Sequence, residues 1–148
     1  MALDPGLYSR LERYNIPQPE AVFDIDYFRR NPATFYQVSK ELIPNNLKPT
    51  NAHYFISLLA KENLLLRVYT QNVDTLERDA GVPDDRIVEA HGSFATASCL
   101  KCHAKYSKTY LKEQIFSTDK EDFVPRCTVP TCDGVIKPDI TVRRLAFT

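Results

Sequence analysis

The close pairing of its cysteines most constrains how this chain can fold. The four cysteines form two pairs, Cys99/Cys102 and Cys127/Cys132. Zn²⁺ binds four thiolates in a tetrahedron, and pairs separated by two to four residues let each turn present two sulfur atoms to one ion. The 24 residues between the pairs exceed the ~15–20 of the commonest zinc-ribbon spacing. The sequence therefore predicts one zinc ion, with a longer hairpin or an inserted helix between its two turns.

Four sulfur ligands leave no open position for water, so we expect the zinc to be structural rather than catalytic. The alternatives are a redox pair at Cys99/Cys102, for which no strand-to-helix junction is evident, and unliganded or disulfide-bonded cysteines. The N-terminus has neither a basic start nor an apolar stretch, which favours a reducing compartment, where disulfides are rare. His103 could replace a cysteine, but a fifth ligand is redundant.

The charge balance argues against two classes of partner. Nineteen basic and nineteen acidic residues cancel, so no global field draws the chain to nucleic acid or to an anionic membrane. No apolar run approaches the ~20 residues that span a bilayer. A DNA-binding zinc ribbon remains a weak alternative, because acidic residues offset the lysines near the cysteines. We therefore expect no direct nucleic-acid partner and no membrane partner.

The N-terminal part has the pattern of helices. Residues 7–14 predict a short helix, and Asn31 followed by Pro32 predicts the start of another. An apolar stripe ended by Pro44 extends that second helix. Thr50 can cap a third helix. The stripe consists of Phe35, Val38, Leu42 and Ile43, and in the third helix we expect Phe55, Ile56, Leu58 and Leu59 to face a core.

Two strands are predicted in the middle of the chain. Residues 64–69 are nearly all apolar, as in a strand buried on both faces of a parallel sheet, and residues 87–89 form the second strand. Residues 75–80 predict a short helix that Gly81 ends. This alternation indicates a parallel α/β arrangement, in which ligands bind outside the carboxyl ends of the strands.

Polar side chains fall at those two carboxyl ends. Gln71, Asn72 and Asp74 follow the first strand, and His91 follows the second. A histidine can act as a general base near neutral pH, and Asn72 and Asp74 could bind a sugar hydroxyl or an amide. The alternatives are a histidine satisfied by structural hydrogen bonds and a helix cap at Asp74. His53, inside an apolar helix, is interpreted as structural.

Several segments together carry a family resemblance. They are residues 70–77 (TQNVDTLE), residues 88–94 (VEAHGSF), the two cysteine pairs and residues 137–140 (KPDI). In this order and spacing they resemble the sirtuins, a family of NAD-dependent protein deacylases. Residues 6–8 (GLY) and 19–23 (PEAVF) bring the resemblance closest to the cytosolic branch that deacetylates tubulin and histones.

The resemblance implies an activity and a role for each site residue. The activity is NAD-dependent removal of acetyl groups from proteins such as histones or tubulin, in the cytoplasm or alternatively the nucleus. His91 would be the general base that activates a ribose hydroxyl, and Phe94 would lie beside the acyl-lysine channel. Gln71, Asn72 and Asp74 would line the nicotinamide and ribose pocket. The ligands of one structural zinc would be Cys99, Cys102, Cys127 and Cys132.

The patterns and the resemblance together predict an α/β fold, with a partial Rossmann-like parallel sheet and helices plus a small zinc-ribbon module. We expect residues 1–46 to form a helical segment of the small domain and residues 47–92 a partial Rossmann-like NAD-binding part. Residues 93–140 would form the zinc-binding module, and residues 141–148 a divergent tail.

Several parts of the family pattern are missing from these residues. The glycine-rich loop that binds the NAD phosphates is absent, and so is the Val-Phe-Phe-Gly-Glu strand expected after residues 137–140. We therefore expect a truncated or alternatively spliced form, or an incomplete gene model, in which NAD binding and deacetylation are impaired or absent. The alternative function is that of a non-catalytic, zinc-binding interaction fragment of a sirtuin.

Overall fold

A computed structural model of the chain describes residues 19–42, 47–116 and 123–141. The helix predicted at 7–14, most of the tail at 141–148 and the side chains of the apolar stripe beyond Val38 lie outside this description. The helices are α1 (Ile25–Arg30), α2 (Pro32–Leu42), α3 (Asn51–Lys61), α4 (Leu76–Asp79) and α5 (Lys108–Ile115). The strands are β1 (Val68–Thr70), β2 (Ile87–Glu89), β3 (Gly92–Cys99), β4 (Lys105–Ser107) and β5 (Ile136–Ile140).

The first two described helices begin where the local chemistry favours a start. The Asp24 carboxylate accepts hydrogen bonds from the backbone of Asp26 at 2.9 Å and Tyr27 at 2.8 Å, which satisfies free N–H groups of α1. Helix α2 begins at Pro32, which confirms the predicted start. Phe35 and Val38 are buried on one face of α2, as their spacing predicts.

Strands β1 and β2 form a parallel pair. Val68 aligns with Ile87, and Thr70 aligns with Glu89. The segment between them contains α4, and Gly81 follows it with a φ of +92°, a conformation that a residue without Cβ adopts readily. The predicted helix and the predicted second strand are both confirmed, and the parallel arrangement is confirmed with them.

The burial predicted around β1 is wrong. The strand is shorter than residues 64–69, and Leu64, Leu66 and Tyr69 are 74%, 85% and 73% exposed. In α3, Phe55 and Leu58 are also exposed and do not face a core. A strand is buried on both faces only when layers cover both, and among the described residues β1 has one hydrogen-bonded neighbour, β2.

The remaining strands form an antiparallel sheet in the order β4-β3-β5. Helix α5 lies between the two cysteine pairs, which confirms the predicted insertion. One hydrophobic core joins this sheet to the N-terminal helices. Its buried members include Phe28, Phe35, Phe94, Leu111 and Ile136.

A buried hydrogen bond also crosses that core, because the Tyr36 hydroxyl of α2 donates to the backbone oxygen of Ile136 in β5. Burial raises the pKa of Tyr36 above its usual value, so the hydroxyl stays protonated. The helical segment and the cysteine region therefore pack as one unit, and the division into segments remains a prediction. None of the helices in the described ranges has the length and apolar character needed to cross a membrane.

Candidate functional site

The four cysteines converge on one point. Their sulfur atoms all lie within 4.8 Å of one another, with 3.7 Å between Cys99 and Cys132 and 3.5 Å between Cys102 and Cys127. A Zn–S bond length of about 2.3 Å gives a tetrahedron with edges of about 3.8 Å, whereas a disulfide would need about 2.05 Å. All four cysteines are free thiols. The cluster therefore fits a tetrahedral zinc ion and does not fit disulfide pairing.

The backbone around the sulfur atoms suits anionic ligands. The Cys99 sulfur accepts hydrogen bonds from the backbone of Lys101 at 3.3 Å and Cys102 at 3.5 Å. Burial acts to raise the pKa of Cys99, but these amides, together with hydrogen bonds from the Cys102 and Cys132 thiols, lower it to about 6. Gly134 makes room for the cluster, because a Cβ there would lie 2.5 Å from the Cys99 sulfur. A glycine two residues after Cys132 could have indicated from the sequence that the backbone approaches the cluster closely, and we did not predict it.

His91 lies at the carboxyl end of β2 and contacts the segment after β1. Its Nδ1 atom is 2.9 Å from the backbone oxygen of Gln71. A carbonyl oxygen accepts a hydrogen bond and cannot donate one, so the Nδ1 atom must carry the proton. In the neutral ring the Nε2 atom then holds the free lone pair, which is the arrangement a general base needs.

The backbone of His91 is fixed from the opposite side by the end of β5. The His91 carbonyl accepts a hydrogen bond from the backbone of Thr141 at 2.7 Å, and Gly92 aligns with Ile140. Gly92 has a φ of +67°, and a Cβ there would overlap the Asp139 carbonyl. A glycine is therefore required after the histidine, because β5 passes against its backbone.

The other predicted site residues divide into two groups. Gln71 and Asn72 are exposed at the carboxyl end of β1, so their side chains are accessible to a ligand. The Asp74 carboxylate accepts a hydrogen bond from the Leu76 backbone at 3.0 Å, but the cap position of α4 is Thr75, so Asp74 lies one residue before the cap that was its alternative role. Phe94 follows the histidine closely but is buried in the hydrophobic core, 4% exposed.

An ion pair behind His91 was not found from the sequence. Arg78 of α4 donates two hydrogen bonds to Glu89 of β2, from Nε at 3.1 Å and from Nη2 at 3.0 Å. Burial acts to raise the pKa of Glu89, but hydrogen bonds from Arg78 and Ser93 hold it below its usual value. The pair joins helix α4 to strand β2. The sequence feature that could have indicated it is Glu89, the acidic residue two positions before His91.

Comparison with known proteins explains why these residues occur together. The family model described as the Sir2 family matches residues 2–143. This chain belongs to the Sir2 family. The match takes in the cysteine pairs, the segment after β1 and His91, so both parts of the site fall inside one family domain. The recognition of sirtuin motifs in the sequence is thereby confirmed.

Curated relatives give the same assignment. The chain is 54% identical over 136 residues to the NAD-dependent deacetylase sir2A of Dictyostelium discoideum, covering 91% of this chain and 26% of that protein. It is 48% identical to the NAD-dependent protein deacetylase sirtuin-3 of Mus musculus, covering 91% and 39%. For sirtuin-2 of Danio rerio the identity is 46%, covering 91% and 35%. The chain thus spans well under half the length of these relatives.

Proposed function

We propose that this protein takes part in NAD-dependent removal of acetyl groups from protein lysines, with His91 as the general base. The observation that carries the proposal is the contact between His91 Nδ1 and the Gln71 carbonyl at 2.9 Å. It fixes the tautomer in which Nε2 can accept a proton, at the edge of a parallel sheet where ligands of α/β proteins bind. The names of the relatives, which are NAD-dependent deacetylases, support the same activity.

Each residue near His91 has a proposed task. NAD, when bound, supplies the ribose that receives the acyl group. Gln71 and Asn72 are exposed beside the histidine and offer amide groups that can orient a ribose or a carboxamide. Asp74 holds the start of α4 through Leu76 and so fixes the loop that carries both amides. Phe94 anchors the strand after the histidine in the core and is proposed to lie beside the acyl-lysine channel.

The cysteine cluster is proposed to hold a structural zinc ion. Four sulfur atoms complete a tetrahedral site without a position for substrate water. The cluster lies beyond the ends of β3 and β5, since Cys99 aligns with Ile136, whereas His91 precedes the other end of β3. Zinc would therefore stabilise one end of the β4-β3-β5 sheet, and the opposite end of that sheet binds the backbone of His91.

Acetylated proteins such as histones or tubulin are the proposed substrates, because the sequence resembles the branch that deacetylates them. The same resemblance favours the cytoplasm, with the nucleus as the alternative. The balanced charge of the chain gives no support to direct binding of nucleic acid.

A second candidate function rests on the distribution of glycines. A loop that binds a pyrophosphate through backbone N–H groups needs several glycines close together, whereas the glycines of this chain stand singly. Gly81, Gly92 and Gly134 already serve the end of α4, the passage of β5 and the space beside Cys99. These 148 residues alone would then act as a zinc-binding interaction module of a sirtuin without binding NAD tightly.

Nicotinamide release separates the two candidates. The purified chain, with its zinc content measured, is incubated with NAD and an acetyl-lysine peptide. Nicotinamide release together with formation of deacetylated peptide, the latter lost in His91→Ala and kept in the control His53→Ala, supports the catalytic proposal. Deacetylated peptide that still forms in His91→Ala would show that His91 is not the base. A chain that holds one zinc ion and releases no nicotinamide would favour the interaction module.

A further inference from the structure

A tyrosine hydroxyl lies against one of the four sulfur atoms. The Tyr106 hydroxyl oxygen is 3.0 Å from the Cys127 sulfur, although 21 residues separate the two in the chain. The same oxygen is 2.9 Å from the backbone nitrogen of Thr128, which can only donate to it. The two contacts together place the hydroxyl directly over the second cysteine turn.

The direction of the hydrogen bond follows from these partners. The Tyr106 oxygen accepts from the Thr128 backbone, so its own proton is free to point elsewhere. The candidates are the Cys127 sulfur and the Thr128 hydroxyl, which lies at 3.3 Å. A metal-bound thiolate carries no proton and is the more negative acceptor, so the tyrosine proton points to the sulfur when zinc is bound.

The Tyr106 ring is held in place by residues that are not zinc ligands. The Tyr106 backbone pairs with Ala97 in the central strand β3. Its ring packs on that of Tyr110 in α5, with centroids 4.9 Å apart. The hydroxyl is therefore oriented by the fold, and its hydrogen bond to the sulfur costs little additional conformational entropy.

We propose that Tyr106 is an outer-sphere determinant of zinc binding, through a hydrogen bond from its hydroxyl to the Cys127 thiolate. Four thiolates around one Zn²⁺ leave a formal charge of about −2, which donors around the sulfur atoms stabilise. Backbone amides act in this way at Cys99, and Tyr106 adds a side-chain donor at Cys127. The hydroxyl stabilises and orients the Cys127 sulfur as a ligand.

The inference rests on the proposed zinc site, and its test begins by measuring zinc in the unmodified chain. Zinc transfer to the chromophoric chelator 4-(2-pyridylazo)resorcinol is then followed at one fixed pH near neutrality. Loss of an outer-sphere partner typically weakens metal affinity by roughly 10–100-fold. For Tyr106→Phe we expect a loss of about 10-fold in zinc affinity, with correspondingly faster release.

The matched control is Tyr110→Phe. This change removes a hydroxyl from the stacked neighbour, where it donates its hydrogen bond to the Arg126 carbonyl at 2.9 Å rather than to a sulfur atom. Zinc affinity within about twofold of the unmodified chain is expected for the control. As a second readout, the ¹¹³Cd NMR shift of the cadmium-loaded protein reports the sulfur environment independently of stability, and we expect Tyr106→Phe alone to move it.

Two outcomes would overturn the inference in distinguishable ways. Equal zinc affinity and an equal cadmium shift in both variants would mean that the Tyr106 hydroxyl does not act on the metal, while the zinc site itself stands. An unmodified chain that binds no zinc would contradict the proposed zinc site, and the role of Tyr106 would fail with it.

Discussion

The Nδ1 atom of His91 donates a hydrogen bond to the backbone oxygen of Gln71 at 2.9 Å, which joins the carboxyl ends of the two parallel strands. This contact fixes the position of the imidazole ring. It also fixes which ring nitrogen carries the proton. A histidine elsewhere in the chain has the opposite arrangement. The Nδ1 atom of His53 accepts a hydrogen bond from the backbone nitrogen of Thr50 at 3.2 Å, so its proton lies on Nε2.

We therefore predict opposite tautomers for these two histidines. Above the pH at which each ring loses its charge, His91 should carry its proton on Nδ1 and His53 on Nε2. Long-range ¹H–¹⁵N correlation spectra of the ¹⁵N-labelled chain distinguish the two forms, and the variants His91→Gln and His53→Gln assign the signals. An Nε2-protonated His91 would remove the lone pair on which the proposed base depends.

Gly92 is predicted to tolerate no side chain. Its φ of +67° disfavours a residue with Cβ, by roughly 1–2 kcal/mol. In addition, a Cβ would overlap the backbone of Asp139, and neither strand can move without breaking the pairing of β3 with β5. We expect Gly92→Ala to lower the free energy of unfolding by more than about 2 kcal/mol, as measured by urea denaturation.

Gly81→Ala is the matched control for that prediction. Its φ of +92° also disfavours alanine, but the nearest atom to the added Cβ is the Ser57 hydroxyl oxygen at 3.4 Å, in ordinary contact. The control should therefore show the conformational cost alone. If both variants lowered the free energy of unfolding by the same amount, β5 would not constrain Gly92.

The sequence allowed the site to be predicted where local patterns determine it. The position of His91 near Gln71 follows from two strand ends of one parallel pair, and helix α4 follows from its length and its terminal Gly81. The spacing of the cysteines predicted their convergence in the same way. In each case short segments specify the local elements, although the residues that meet at His91 and at the cysteines are 20 or more positions apart in the chain.

Other features depend on contacts that no local pattern encodes. The apolar residues Leu64 and Leu66 indicated a buried strand, but burial depends on neighbouring layers, and these side chains are exposed among the described residues. The Tyr106–Cys127 contact depends on the register of β4 against β3, which the alternating residues around Tyr106 do not specify. The wrong burial and the unpredicted contact both depend on tertiary neighbours rather than on local propensity.

Zinc removal is predicted to loosen one part of the molecule and leave another unchanged. The cysteine turns connect directly to the sheet through the hydrogen bonds from Leu100 to Val135 at 2.9 Å and from Cys127 to Gly134 at 2.8 Å. Without metal, four sulfur atoms at these separations lose their common ligand and repel one another where ionised. We expect hydrogen exchange of these two amides to accelerate by at least about 10-fold in chelator.

Helix α3 supplies the internal comparison for that experiment. It contains no zinc ligand, and its contacts are chiefly with α4 rather than with the cysteine sheet. Its amides should exchange at nearly the same rate with and without zinc. Uniform acceleration across the whole chain would instead indicate that zinc controls global unfolding.

The Arg78–Glu89 pair leads to a prediction about pH. Glu89 is largely buried and receives two hydrogen bonds from Arg78, so its pKa in the folded chain lies below the ordinary value of 4.5. A carboxylate with a lowered folded pKa adds stability above its unfolded pKa, and that stability is lost as pH falls through the folded value. We expect Glu89→Gln to lower the free energy of unfolding by about 1–3 kcal/mol at neutral pH.

That difference should disappear in acid, because the unmodified Glu89 then becomes neutral like the glutamine that replaces it. Urea denaturation of both proteins over a pH series measures the difference directly, and effects common to both, such as protonation of the cysteines, cancel in the subtraction. Glu62→Gln at the exposed end of α3 is the control and should change stability little at any pH. The contrary result is that Glu89→Gln lowers the free energy of unfolding by the same amount at every pH, down to strongly acidic values. That result would mean that the packing of this side chain, rather than its charge, joins α4 to β2.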